Sequence, residues 1–217
     1  MKLSDHLVCI ICGLEHTGTS LLVNILQDHK DIFRIPNGTE MGLLTPPSPR
    51  QLFDDEFMYW ANIAVRTTRL SSQVLREVCD CDTFAEMYQR LGEKLNIDDK
   101  RIIDKKPSYV HNLMDIAEKS EDVPIFITRK TLEGTIKSHA KRGKENSKTT
   151  ELFKSAYEDI VPKAIDKYGN DKINVIQYED FVKEPIPFLG SIFNRMGNHV
   201  TDGECEQFSR NHIRGYK

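Results

Sequence analysis

The sequence predicts an α/β fold in three layers, a central, mostly parallel sheet flanked by helices. Three observations carry this. Short apolar runs recur along the chain in "HLVCIICG", "VPIFIT" and "KINVIQ". The first two are nearly continuous apolar runs rather than alternating ones, which marks strands buried on both faces. Stretches with helical spacing separate them, and strands that alternate with helices build parallel, doubly wound sheets.

The elements follow in order. "HLVCIICG" is the first strand and ends on Gly13. A helix follows from Gly18 to Asp28, with Leu21, Leu22, Ile25 and Leu26 forming one apolar stripe. "DIFRIP" (residues 31–36) reads as a second strand, running into the glycine- and proline-rich loop "NGTEMGLLTPPSPR". Residues 51–95 read as helical, with breaks at Ser71–Ser72 and Asp80–Asp82, and form a helical insertion at about 51–98. "RIID" is a short strand. Pro107 suits a first helical position, and Val110, Leu113, Met114 and Ala117 follow at helical spacing. "VPIFIT" is the next strand, followed by a helix from Thr131 to about Lys141 and the polar stretch "KRGKENSK". A helix over residues 150–168, the strand "KINVIQ" and a short helix at residues 186–196 close the fold. The 217 residues form one domain, 1–217.

Composition is that of a soluble protein, 39% hydrophobic and 29% charged. A formal net charge of −3 leaves no global electrostatic case for nucleic acid or an anionic membrane, so any anion site is local. The first apolar run is too short to span a bilayer and lacks a cleavage signature, which makes the cytoplasm the expected compartment. Five cysteines do not form a disulfide framework. Cys9 and Cys12 have the spacing of a zinc pair but fall within a strand, where residues three apart point to opposite faces. Buried thiols are expected, and no metal site.

"GLEHTGTS" (residues 13–20) has the outline of a phosphate-binding loop, G-x-x-x-x-G-K-[ST], with Thr19 in place of the lysine. Successive backbone amides and a helix N-terminus still favour an anion there, and Gly13 and Gly18 permit close approach. Without its lysine the loop does not suit the β- and γ-phosphates of ATP. A 5′-phosphosulfate needs less charge and no bridging metal.

The loop resembles that of the PAPS-dependent sulfotransferases (PAPS being 3′-phosphoadenosine 5′-phosphosulfate), whose fold is a P-loop-type domain. His16 takes a slot that holds Lys or Arg in most members and His in some distant, mainly bacterial ones. "DKKPSYVHNL" is similar to the Lys-x-Pro segment of the tyrosylprotein and carbohydrate branch. "FITRKTLEGTIKSH" resembles the 3′-phosphate segment, and "INVIQYEDF" the segment after a late strand. The four occur in the family's order, across residues 7 to about 182.

The resemblance implies roles. Thr17, Gly18, Thr19 and Ser20 would hold the 5′-phosphosulfate, and Lys105 with His16 would stabilise the leaving group. Arg129 or Lys130, with Ser138, would grip the 3′-phosphate. Arginine is the better bidentate ligand, which makes Arg129 the first choice, although the family's spacing of eight residues favours Lys130. Glu40 or His16 would take the acceptor proton, Tyr178 would contact the adenine, and Arg214 stands at the position of a C-terminal loop over the cofactor. Phe53, Phe57 and Trp60 either roof an acceptor pocket or belong to the core. The expected activity is metal-free, in-line sulfuryl transfer from PAPS to a hydroxyl or, less readily, an amine, releasing 3′-phosphoadenosine 5′-phosphate (PAP). The acceptor is a small molecule, carbohydrate or peptide. The competing readings are a small-molecule kinase with an altered P-loop and a non-catalytic nucleotide-binding protein.

Overall fold

The computed structural model describes residues 2–97 and 99–213. Its sheet has four parallel strands, β1 (Leu7–Gly13), β2 (Ile102–Lys105), β3 (Ile125–Arg129) and β4 (Ile173–Gln177), in the order β2-β1-β3-β4. All seven residues of β1 are buried, as a central strand covered on both faces requires.

The sheet separates two apolar cores. One face carries Cys9, Ile11, Ile103 and Phe126, packed against α1 (Thr19–Leu26), α10 (Pro185–Arg195) and α11 (Asp202–His212). The other carries Ile10, Cys12, Ile125 and Ile127. It is covered by the helices of the 58–95 insertion, α2 (Met58–Thr68), α3 (Ser72–Cys79) and α4 (Phe84–Leu95), and by α5 (Leu113–Lys119). Cys9 and Cys12 thus lie in different cores, and all five cysteines are buried free thiols.

Beyond β3 come α6 (Leu132–Ala140), α7 (Asn146–Lys154), a π-helical turn (Ser155–Ile160), α8 (Val161–Tyr168) and, after β4, α9 (Tyr178–Lys183). The expected breaks inside the insertion fall between α2, α3 and α4, where Ser71 and Thr83 cap the helices that follow them.

Three expectations need correction. Residues 31–36 form no strand, since only Ile32 bridges to Arg101 while Arg34 turns back to an ion pair with Asp28. The helix expected over 150–168 starts at Asn146 and is interrupted by the π turn. The chain does not close at residue 196, because α11 follows under a capping box of Thr201 and Glu204.

Candidate active site

The loop after β1 is shaped by two glycines. A Cβ on Gly13 would lie 2.3 Å from the Thr128 carbonyl, and one on Gly18 2.3 Å from the Tyr178 ring. Gly18 also takes a left-handed φ of 108°, and His16 one of 66°. Thr17 does not face the cavity. Its hydroxyl is buried, donating to the Leu14 carbonyl at 2.6 Å and lying 3.0 Å from the Thr128 hydroxyl, so it locks the loop to β3. Gly18 begins α1 without a side-chain cap, and Gly18, Thr19 and Ser20 line a cavity of about 720 Å3. Amides at an uncapped helix start are the donors an anion needs.

Lys105 ends β2 and is 1% exposed. Its ammonium donates to Glu40 Oε1 at 2.8 Å and to the Ser20 hydroxyl at 3.2 Å. Burial lowers its pKa and Glu40 opposes that shift. A lysine from the neighbouring strand therefore reaches the loop that lacks its own. Glu40 keeps its side chain 38% exposed, so it faces both Lys105 and the open cavity.

At the other end of the cavity Lys130 donates to the Ser138 hydroxyl at 3.1 Å, with its ammonium 4.4 Å from the Tyr178 ring centroid. Burial pulls the Lys130 pKa below the ordinary lysine value. Arg129 is not brought to Ser138. Its guanidinium lies on the opposite face of the sheet, 5.3 Å from the Phe153 ring and 5.4 Å from that of Tyr157. Tyr178 is packed between Gly18 and Lys130 and forms part of the cavity wall.

His16 lines the cavity, and burial, ahead of the Arg142 charge, lowers its pKa from 6.5. Both effects favour the neutral imidazole, against the Glu15 charge, which favours the imidazolium. His139 stands edge-on to it at 5.8 Å, with Nε2 2.9 Å from the Glu15 carbonyl oxygen. Lys144 forms an ion pair with Glu15, holding the Glu15 carboxyl below its usual range and tying the 141–148 stretch to the loop.

Sequence reasoning missed two contributors. Arg142 lines the cavity and donates to the Ser138 carbonyl at 3.2 Å. Its signal was the basic residues of the polar stretch "KRGKENSK" after α6. Tyr157 donates to the Thr128 carbonyl at 2.8 Å and accepts from the Leu14 amide at 2.9 Å, bracing the loop from below. It sits in the π turn, which carries no sequence signature here. Trp60 and Tyr59 form a wall near Glu40, while Phe53 lies under Arg76, outside this cavity. Arg214 lies outside the described residues. Among those described, no group of three or more His, Cys, Asp or Glu is placed to hold a metal, and no helix is long and apolar enough to cross a membrane.

A parallel α/β sheet whose first strand feeds an uncapped helix start is the architecture of a P-loop-type domain. The profile of a sulfotransferase family matches residues 9–202, and the chain belongs to that family. The fold is similar to the sulfotransferase domain of the olefin synthase of Synechococcus PCC 7002. There the TM-score is 0.68 at 16% identity, over 90% of this chain and 74% of that one. It is also similar to sulfotransferase STF1 of Mycobacterium tuberculosis, with a TM-score of 0.60 at 15% identity over 95% and 71% of the two chains. Retinol dehydratase, solved with androsterone and the inactive cofactor PAP, aligns at a TM-score of 0.50 and 13% identity over 97% and 64%. A comparison with curated protein sequences returned no match.

Proposed function

We propose that the protein transfers a sulfuryl group from PAPS to a hydroxyl acceptor. The observation that carries this reading is one cavity with cationic groups at both ends and no lysine in the loop itself. Lys105 and the start of α1 form one end, and Lys130, Ser138 and Arg142 the other. A nucleotide phosphorylated at both 5′ and 3′ positions matches two separated cationic ends, whereas a triphosphate concentrates its charge at one. That retinol dehydratase was solved with PAP supports the donor class.

The residues fit such a group. Amides of residues 18–20 and the Ser20 hydroxyl would hold the 5′ end, and Lys130, Ser138 and Arg142 the 3′-phosphate. PAPS, when bound, supplies the activated sulfuryl group and a bisphosphate leaving group. Lys105, desolvated and fixed by two hydrogen bonds, places a cation where charge develops, which is most effective in a site poor in water. Glu40 takes the proton of the acceptor hydroxyl, since an alcohol attacks well only as its proton leaves. One Glu40 oxygen is held by Lys105, which aims the other. Neutral His16 can donate a hydrogen bond to the leaving group or replace Glu40 as the base.

Calorimetry with PAP, beside ATP and magnesium, tests the donor class. Tight, magnesium-independent PAP binding with no heat from ATP is expected. No binding of PAP would sink the reading, and ATP binding in its place would favour a kinase.

A further inference from the structure

The segment that follows Glu40 is an irregular loop, yet each of its next four amides has a partner on one small unit. The Met41 amide donates to the Lys105 carbonyl at 3.0 Å. Gly42 and Leu43 donate to the two carboxylate oxygens of Asp104 at 2.9 and 3.0 Å, and Leu44 donates to the Tyr109 hydroxyl at 2.8 Å. Asp104 is 0% exposed and also accepts from Tyr88 at 2.5 Å and Tyr109 at 3.1 Å. A buried carboxylate with four donors is a fixed point in the structure, because losing any partner leaves a polar group in a dry site.

Asp104 and Lys105 are adjacent on β2 and point to opposite faces. Lys105 meets the Glu40 carboxylate from the cavity side, while Asp104 grips the backbone two and three residues further on from below. We propose that Asp104 is a positioning residue: it sets the place of the Glu40 carboxylate relative to Lys105 by clamping residues 42–43, with Tyr88 and Tyr109 holding the clamp. This rests on the reading of Glu40 as the acceptor-side base. The groups proposed to hold the nucleotide do not depend on the clamp, since the start of α1 and the Lys130 end are built on β1, β3 and α6. Trp60 presses on Gly42 from the other side, where a Cβ would meet its ring at 2.6 Å, so the loop has no room to re-seat.

Asp104→Asn keeps the shape but sets an amide nitrogen against one of the two loop amides. Hydrogen exchange read residue by residue should quicken at Gly42 and Leu43 by about tenfold or more, with exchange at β1 unchanged. PAP affinity by calorimetry should stay within about twofold, because the nucleotide ends lie elsewhere. PAP release from PAPS, onto water or a screened alcohol, should slow by about tenfold or more, and add little to the loss in a Glu40→Gln background. Unchanged exchange at Gly42 and Leu43 overturns the clamp. Undiminished loss in the Glu40→Gln background, or a matching fall in PAP affinity, overturns its action through Glu40. If Asp104→Asn does not fold, Tyr109→Phe removes one clamp donor and the Leu44 acceptor, and Leu44 exchange must then quicken. A wild-type protein that does not bind PAP refutes the donor reading, while the exchange measurement still decides the clamp.

Discussion

Two strands each end in a doublet of basic residues, and the two doublets are used in opposite order. At the end of β2 the first residue, Lys105, enters the cavity, and Lys106 turns to the other face, its ammonium 3.7 Å from the Trp60 ring centroid and 2.9 Å from the Thr45 hydroxyl. At the end of β3 the first residue, Arg129, turns away against Phe153 and Tyr157, and the second, Lys130, enters the cavity. Register explains the reversal. Ile10 of β1 pairs with Asp104 on one side and Ile125 on the other, so these three share a face. Alternation then puts Arg129 on the Asp104 face and Lys105 and Lys130 on the α1 face. In each doublet one cation serves the cavity and its neighbour serves the packing beneath.

The contrast is open to test by removing each of the four charges. Lys105→Met should have the largest effect, a fall in turnover of about 10²–10³-fold, typical for loss of a group stabilising transition-state charge, read by PAP release from PAPS. Lys130→Met should weaken PAP binding by about ten- to a hundredfold, the worth of a charge-assisted hydrogen bond, in calorimetry. Arg129→Met should leave PAP affinity unchanged and cost about 1 kcal/mol of stability through its lost aromatic contacts, a fall of about 2–4 °C in Tm. If Arg129→Met rather than Lys130→Met weakens PAP binding, the reversal is refuted.

The smallest effect belongs to Lys106, whose pKa burial lowers from 10.5 to about 8. Between these values the unfolded chain binds more protons than the folded one, so stability should rise with pH from about 8 to 10.5. Denaturant unfolding at several pH values should show that rise in the wild type and a flatter profile in Lys106→Met.

The central strands and the loop were legible because the apolar runs of β1 and β3 and a terminal glycine carry their own signal. Lys105, Glu40, Lys130 and Ser138 were legible as candidates, but the choice between Arg129 and Lys130 was not, since it depends on cross-strand register. The false strand at residues 31–36 has three β-favouring apolar residues, Ile32, Phe33 and Ile35, but pairs only through Ile32. The missed α11 buries little apolar surface (Cys205 and Phe208), yet its capping box was readable as "TDGE". Asp104 carries no signal in the sequence, because the four groups that donate to it are scattered from residue 42 to residue 109.

Trp60 is the chain's single tryptophan, and it stands on the cavity wall between Gly42 and the Lys106 ammonium. All indole emission therefore originates at this cavity wall. Charge and solvent at that wall govern its brightness and colour, so unlabelled protein in a cuvette carries its own optical gauge of whatever enters the cavity.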